Sequence, residues 1–189
     1  MVKNENKIIR QCQAGDLKQF AELYEAYIEK IYSFVFYRTM HREIAEDLVS
    51  QIFLKALERI NSYDETRGAF SSWLYSIARN TVIDHYRTKR DHEDIDSQWS
   101  LAMDGDLYEQ SADRHLLEKV IRHLNLLNTE QRDLLIMKIW DELTYKEIAE
   151  IIGKTPANCK MIFYRTIHKL RQELTLAIAI ALLIILSKL

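Results

Sequence analysis

The chain has 189 residues, of which 48% are hydrophobic, with four glycines, one proline and a formal net charge of −2. This hydrophobic content excludes wholesale disorder, and the scarcity of turn residues excludes a sheet-rich fold, so we predict an all-α protein. The weakly acidic net charge argues against a uniformly basic nucleic-acid binder. Whether the chain binds nucleic acid therefore has to be judged from where its positive charges lie.

Three amphipathic helices are predicted in the first part of the chain. Hydrophobic residues recur at helical spacing in the segments Phe20–Phe34, Leu48–Ile60 and Phe70–Ala78. Asp16 is placed to cap the first of these helices, and a turn-like sequence at 64–68 precedes the third. Three helices that share a core form a complete small domain, which we expect to cover residues 1–90.

An acidic linker is predicted next, over residues 91–113. Eight acidic residues and no lysine or arginine occur there, and the hydrophobic periodicity stops. Periodicity returns between Leu116 and Ile139, which opens a second predicted helical domain over residues 114–174. Residues 175–189 form an apolar tail, whose role the sequence does not define.

The second domain contains the pattern of a helix-turn-helix. Thr144 and Glu147 have the spacing of a capping box, which marks the start of a helix. Gly153 is expected to end that short helix, Thr155 to cap the next one, and Pro156 to occupy its first turn. Two helices joined by a short glycine-containing turn are typical of a helix-turn-helix, here in a winged-helix-like four-helix domain.

Cys12 and Cys159 lie far apart, and we expect two free thiols in a reducing cytoplasm. Cys159 is predicted to be a core residue, since free cysteine is among the most buried residue types. The start of the chain lacks a secretory pattern, which favours a cytoplasmic location. The histidines show no metal-ligand spacing with either cysteine, and no phosphate-binding loop or nucleophile elbow occurs. We therefore expect no metal, cofactor, catalytic residue or enzymatic activity.

Positive charge is concentrated in two places that flank the acidic linker. The first predicted domain ends with Arg79, His85, Arg87, Lys89 and Arg90, and the second contains Lys154, Lys160, Arg165, Lys169 and Arg171. Neutralising phosphates requires such local positive charge. Either run alone is typical of a solvated helix face, but two runs, one of them on a predicted recognition helix, favour DNA binding.

These segments resemble a known family. Residues 45–57 look like the polymerase-binding helix of extracytoplasmic-function sigma factors, and residues 70–80 resemble their promoter-melting helix. Residues 127–132 and 143–153 are similar to the family's upstream-element domain. The resemblance extends in order from about residue 8 to residue 174, and it implies a promoter-recognition subunit of bacterial RNA polymerase.

The resemblance implies roles for the first domain. It would dock on core RNA polymerase through Asp47, Leu48, Gln51, Ile52 and Lys55. It would bind the minus-ten element through Arg67, Phe70, Arg79, Asn80, Asp84, His85 and Arg87, while the loop at 61–68 holds a flipped base and thereby offsets the cost of unstacking. Without the resemblance, Trp73 is more typical of a core residue, and Phe70 fits a core position and a base contact equally well. Asn80 is a poor helix former, which favours a contact with DNA. Asp47 fits an interaction with the helix dipole and a contact with polymerase equally well.

The second helix of the predicted helix-turn-helix would enter the major groove of the minus-thirty-five element. The residues assigned to that contact are Lys154, Thr155, Pro156, Ala157, Asn158, Lys160, Met161, Tyr164 and Arg165. Met161 and Ile162 replace a small polar residue and an arginine that the family usually has, and a lost arginine contact would cost about 1–3 kcal/mol. In the docking helix, Gln51 replaces an acid, which weakens a charge-based account of polymerase binding.

The implied partners are core RNA polymerase, promoter DNA and an anti-sigma factor, while the acidic linker would follow the path of nascent RNA through the polymerase. The apolar tail fits an extended last helix packed on its own domain or on a partner, membrane association directly or through a membrane-bound anti-sigma factor, self-association, or a tail that is disordered or aggregation-prone in isolation. Two other functions stay open at this point. One is a stand-alone helix-turn-helix regulator, which binds DNA tightly without polymerase; the other is a decoy that binds polymerase or an anti-sigma factor without supporting transcription.

Overall fold

The computed structural model describes residues 4–92, 124 and 126–173. Over those residues it contains seven α-helices and no strand, which confirms the all-α prediction. In chain order the helices are α1 (Glu5–Gln13), α2 (Phe20–Thr39), α3 (Arg42–Glu58), α4 (Phe70–His92), α5 (Thr129–Ile139), α6 (Tyr145–Ile152) and α7 (Pro156–Glu173). Helices α1–α4 are called the first unit below, and α5–α7 the second unit.

The start of the first unit differs from the prediction. Helix α1 was not expected, because three buried hydrophobic residues in nine give a weak signal and so short a helix depends on tertiary packing. The prediction that Asp16 caps the following helix is wrong. Asp16 stands before a one-turn 3₁₀ helix at Leu17–Gln19, and its carboxylate accepts a hydrogen bond from the Gln19 side chain (3.1 Å) instead of a backbone amide.

Helices α2, α3 and α4 pack around one hydrophobic core. Their fully buried side chains include Leu23, Ile31, Phe34, Ile52, Ala56 and Leu74. Edge-to-face aromatic contacts tie the elements together, with ring centroids 5.5 Å apart for Phe34 and Tyr75. Helix α4 continues to His92, two residues past the predicted end of the first domain.

The second unit contains the predicted helix-turn-helix. Thr144 Oγ1 accepts a hydrogen bond from the Glu147 amide (3.3 Å), and Glu147 Oε2 accepts one from the Thr144 amide (2.8 Å), which confirms the capping box. Gly153 ends α6 in the left-handed conformation, with a φ of 71°. Thr155 Oγ1 accepts a hydrogen bond from the amide of Asn158, the third residue of α7 (3.2 Å), and Pro156 is the first residue of that helix. All four local predictions are therefore confirmed.

The two units share a hydrophobic core. Helix α6 packs along α4, and α5 packs against α2. One buried cluster contains Leu23 and Leu74 from the first unit and Leu134, Ile136, Met137, Ile148 and Cys159 from the second. Cys159 is thus buried as predicted, and both cysteines are free. In this arrangement the two units are closed on each other.

Several predictions concern residues outside the described ones. The linker from residue 93 to 113, the periodic segment at 116–121 and the tail at 175–189 belong to this group. Asp91 lies in α4, so the predicted linker begins within that helix. Within the described ranges, no helix is both long enough and apolar enough to cross a membrane.

Candidate nucleic-acid interface

Helix α7 presents an exposed polar face. All nine residues predicted to contact the minus-thirty-five element are exposed, from Lys154 before the helix to Arg165 in its third turn. Cys159 and Thr166 are buried on the opposite side of the helix and attach it to the core. Ile162 packs on the core cluster, so the arginine that the family usually has there is replaced by a residue that stabilises the fold.

Neighbouring side chains shape the charge of this face. Lys160 Nζ lies 6.0 Å from the centre of the Tyr164 ring, at the limit of a cation–π contact. Lys154 forms an ion pair with Glu130 of α5 (3.2 Å), so it is held at the start of the helix. The exposed aromatic ring of Tyr164 and side chain of Met161 lie among these cations, an arrangement that suits contact with base edges and thymine methyl groups.

The loop between α3 and α4 is held by side chains from both of its ends. Asp64 accepts hydrogen bonds from the amide and the hydroxyl of Thr66 (2.9 and 2.7 Å), and the Tyr63 hydroxyl donates to the carbonyl of Gly68 (3.0 Å). Gln13 of α1 donates to the carbonyls of Ile60 and Tyr63 (3.0 and 2.9 Å). The unexpected helix α1 therefore fixes the loop to which base capture was assigned.

A cavity of about 300 Å³ opens between this loop and the start of α4. Its lining comes from the loop, from Ser72, Trp73 and Ser76 of α4, and from Glu150 of α6. Trp73 is half-buried and packs between the rings of Tyr63 and Phe70, which agrees with the core interpretation of this residue. The volume suits a planar ring the size of a base, and the aromatic wall offers a surface for stacking.

The residues assigned to the minus-ten element are divided between surface and core. Arg67 is exposed over 87% of its side chain and pairs loosely with Asp64 (3.4 Å). Asn80, Asp84 and Arg87 are also exposed on α4, the last two joined by an ion pair (3.1 Å). His85 is half-buried against the Tyr86 ring.

Phe70 requires a correction. Only 1% of the residue is exposed, since its ring packs against Tyr27, Tyr63 and Trp73. A ring in that position cannot contact DNA in the closed arrangement. Of the two alternatives left open by the sequence, the structure supports the core one, because Phe70 lies on the inner face at the first turn of α4.

Arg79 is occupied by the second unit. Its Nε donates to Asp133 Oδ2 (2.9 Å), and only 21% of the side chain is exposed. Asp133 is fully buried in α5 and also pairs with Arg38 of α2, whose side chain is 1% exposed. The sequence analysis missed both Asp133 and Arg38. Arg38 follows a run of hydrophobic residues, which was a signal, whereas Asp133 directly follows Gln131 and Arg132 and gave none.

Two further buried polar groups lie at this junction. Arg132 donates from Nε to the carbonyl of Leu124 (3.1 Å), and burial together with the charge of Arg38 lowers its pKa to about 10. Asp141, between α5 and α6, lies beside Tyr75 of α4. Burial raises the pKa of Asp141 to about 7, while the Tyr75 hydroxyl and Lys30 act in the opposite direction.

Within the described ranges, no group of three or more acidic, histidine or cysteine side chains could hold a metal.

The predicted docking helix α3 has one buried and one exposed face. Leu48 and Ile52 lie in the core, so the prediction that they contact polymerase is wrong: positions four apart share a helix face, and here it faces inward. Lys55 is half-buried and donates to Thr81 of α4 (3.1 Å). Asp47 and Gln51 are exposed.

The exposed face of α3 also contains a residue that the sequence analysis missed. Leu54 is 56% exposed and lies one turn after Gln51. Its spacing from Asp47 and Gln51, at i+7 and i+3, was the available signal.

Two comparisons by sequence family cover most of the described chain. Residues 23–92 match the family described as Sigma-70 region 2, and residues 117–170 match the family described as Sigma-70, region 4. The first match spans α2–α4, and the second spans the helix-turn-helix.

Comparison with individual proteins gives a consistent result. The chain is 32% identical over 179 residues to the ECF RNA polymerase sigma factor SigW of Bacillus subtilis, with 89% of this chain and 95% of that protein covered. It is 30% identical over 173 residues to the ECF RNA polymerase sigma factor BldN of Streptomyces coelicolor; 89% of this chain is covered, but it spans only 65% of BldN.

Solved structures show the same fold. CnrH, in complex with the cytosolic domain of CnrY, superposes with a TM-score of 0.68 at 19% identity, covering 89% of this chain and 95% of CnrH. The sigma factor RpoE of Bartonella quintana, in complex with the anti-sigma factor NepR, superposes with a TM-score of 0.64 at 22% identity, covering 82% of this chain and 96% of RpoE.

Proposed function

This chain belongs to the extracytoplasmic-function sigma factors of RNA polymerase, and from this premise we propose how its two units divide the work of promoter-specific transcription initiation. The second unit binds the upstream element, the first unit binds the minus-ten element and the core polymerase, and the segment between them joins the two activities. The observation that carries the proposal is the exposed polar face of α7, built on a fully capped helix-turn-helix.

Upstream recognition is assigned to that face. Lys160 and Arg165 are five residues apart on α7 and both are exposed, so one can reach a base edge while the other reaches a phosphate. Asn158 near the start of the helix is suited to bind an adenine edge. Met161 and Tyr164 supply the apolar contacts in place of the arginine that the family usually has.

Minus-ten recognition is assigned to α4 and the loop before it. Arg67 in the loop and Asn80 and Arg87 on α4 are exposed, and the cavity beside Trp73 lies at the end where the loop meets the helix. A captured base would replace stacking lost in the duplex, so that strand opening needs no nucleotide hydrolysis by this chain. Arg79 joins this surface when it is released from Asp133.

Polymerase docking is assigned to the exposed face of α3. Asp47 and Gln51 supply polar contacts, and Leu54 supplies the apolar centre that protein interfaces usually have. Leu48 and Ile52 support this face from the core. Lys55 contributes through its bond to Thr81, which fixes α3 against α4.

An anti-sigma factor in the cytoplasm completes the proposal. The structural neighbours CnrH and RpoE are each complexed with another protein, and the one bound to RpoE is described as an anti-sigma factor. Sigma factors generally act without enzymatic activity, and we assign no reaction to this chain, since RNA synthesis belongs to the polymerase. The described part of the chain contains no helix able to span a membrane, and an anti-sigma factor could supply any membrane attachment.

Run-off transcription with purified core polymerase on fragmented genomic DNA tests the proposal. We expect discrete new transcript starts that share two upstream motifs, and we expect these starts to be lost with Lys160→Ala/Arg165→Ala. Lys18→Ala is the matched control, since Lys18 is an exposed lysine in the first unit, away from α7. Polymerase binding without new starts would identify a decoy, and footprints on free DNA without polymerase binding would identify a stand-alone regulator.

A further inference from the structure

The exposed face of α7 has an apolar centre. Because each residue of a helix is rotated by about 100° from the one before it, Ala157, Met161 and Tyr164 fall within roughly 60° of one another around the helix axis. All three are exposed, Met161 over 43% and Tyr164 over 59% of its surface. These three residues, called the apolar stripe below, run along the middle of the face that points away from the core.

Positive charge lies on both sides of the apolar stripe. Around the helix axis, Lys160 falls roughly 40° beyond Tyr164 on one side, and Arg165 falls roughly 40° beyond Met161 on the other. Both cationic side chains are exposed. The middle of a helix in the major groove faces the base edges, whereas its flanks lie nearer to the phosphates of the two strands. The cations are therefore placed toward the walls of the groove, and the apolar stripe is placed toward its floor.

The fold does not require the apolar stripe. Cys159 and Thr166, on the opposite side of α7, are the buried residues that attach the helix to the core. Ile162 also packs on the core cluster, whereas the side chain of Met161 is largely in solvent. A single exposed apolar residue is ordinary in any protein. Three that are aligned between two cations on a helix assigned to DNA instead match the chemistry of a groove.

The floor of the major groove offers one kind of apolar group to such a stripe. Thymine places its 5-methyl group there, whereas the other bases are distinguished by hydrogen-bond donors and acceptors. Packing an apolar side chain on a methyl group is favourable, but covering a donor or acceptor without a partner costs free energy. An unbranched, flexible methionine side chain can adapt its shape to a methyl contact. The stripe therefore favours thymine at the positions that it covers.

We propose that the apolar stripe, centred on Met161, selects thymine in the upstream element by packing against its 5-methyl group. Ala157 and Tyr164 extend the contact on either side of Met161. This inference rests on the proposed binding of the upstream element by α7, and it adds which base and which chemical group are recognised. Since Met161 replaces a small polar residue that the family usually has, base preference at this position is set by methyl packing and not by a hydrogen bond.

The test uses holoenzyme, made from the full chain and core polymerase, and a promoter that it selects from random duplex DNA. The selected duplex is resynthesised with deoxyuridine in place of thymidine in the upstream element only, which removes the 5-methyl groups and nothing else. We expect the holoenzyme to bind the uracil duplex about fourfold more weakly for each methyl group contacted. Met161→Ser should weaken binding to the thymine duplex and reduce the difference between the two duplexes.

Two further variants are the matched controls. Met161→Leu keeps an apolar side chain in the stripe, so we expect it to retain the sensitivity to uracil. Leu126→Ser makes the corresponding apolar-to-serine change at an exposed residue of the second unit outside α7, so it should bind both duplexes as the wild type does. Circular dichroism of each variant checks that the helices are intact.

The outcomes separate this inference from the proposed function. Equal binding of the two duplexes by wild-type holoenzyme would overturn methyl recognition while the upstream element is still bound specifically. A selected upstream element without thymine would overturn it as well, and so would a Met161→Ser variant that keeps the full difference between the duplexes. If the holoenzyme selects no upstream element at all, the proposed function fails and this inference fails with it.

Discussion

The two surfaces assigned to DNA differ in how much of each is available in the closed chain. On α7, every residue assigned to the upstream element is exposed, and the buried side of the helix is reserved for the core. On α4, Phe70 is buried, and Arg79 is paired with Asp133 of the other unit. The upstream surface is ready for contact, whereas the minus-ten surface is partly covered.

This difference means that the two surfaces proposed for DNA are not equally accessible in the same arrangement of the chain. A duplex can approach α7 without any change in the contact between the units. On α4, by contrast, the second unit lies against part of the surface proposed for the minus-ten element, where Arg79 pairs with Asp133.

The largest effect on the contrast between the two surfaces is expected from removing Arg38, the buried arginine that pairs with Asp133 where the units meet. Arg38→Ala takes a fully buried arginine partner from the buried Asp133 carboxylate, and we expect it to lower the free energy of unfolding by about 3–5 kcal/mol. Urea denaturation followed by circular dichroism measures this change. Arg42→Ala is the control, since its ion pair with Glu46 is exposed to solvent and its loss should change the free energy of unfolding much less. Equal losses in the two variants would contradict the buried role of Arg38.

A change on the open surface should act on DNA binding and not on stability. We expect Lys160→Ala and Arg165→Ala each to weaken holoenzyme binding to an upstream element by about 1–3 kcal/mol. Their free energies of unfolding should stay within about 0.5 kcal/mol of the wild type, since both residues are exposed. Filter binding at several salt concentrations measures the first effect, and a phosphate contact would also reduce the salt slope. Unchanged affinity would remove α7 from the proposed interface.

The loop can be loosened without touching the contact between the units. Gln13→Ala removes two hydrogen bonds to loop carbonyls, at a cost of about 1–2 kcal/mol to the ordered loop. We expect reduced permanganate reactivity of promoter thymines in the holoenzyme complex, with upstream binding unchanged. Gln19→Ala is the control, because Gln19 bonds only to the surface residue Asp16 among the described residues. Equal promoter opening by the Gln13→Ala and Gln19→Ala variants would show that α1 does not position the loop.

The smallest expected effect is a dependence of closure on pH. The pKa of Asp141 is raised to about 7 in the closed chain, chiefly because burial disfavours the carboxylate. Protonated Asp141 therefore makes its full contribution to the stability of the closed form below the ordinary aspartate pKa. That contribution is lost as the pH rises through about 7. Between pH 6 and pH 8 we expect the closed form to lose about 1 kcal/mol. Thermal melting at these pH values measures it, and Asp141→Asn should remove the difference.

Local features of the fold could be predicted from the sequence because their partners are neighbours in the chain. The capping box of Thr144 and Glu147, the left-handed Gly153 and the cap at Thr155 each involve residues within three or four positions. Helix α1 escaped prediction because nine residues carry little periodic signal. The Asp16 cap failed because a 3₁₀ turn intervenes before α2.

The contact between the units could not be predicted by the same reasoning. Hydrophobic periodicity shows that one face of a helix is buried, but it does not show which element covers it. The family resemblance assigned Arg79 to DNA, and only the three-dimensional arrangement brings it to Asp133, far along the chain. Leu48 and Ile52 were assigned to polymerase because the docking motif contains them, although the motif also includes residues that only support the fold.

The junction at Asp133 also constrains how this sequence can change over generations. One carboxylate serves arginines on two different helices, so replacing Asp133 with an uncharged residue would remove the acid that both arginines share. Such an intermediate is costly, and Asp133 is expected to be lost only together with its arginine partners. A lineage that replaced all three with hydrophobic residues would keep its packing but would lose the ion pairs that fix how the two units meet.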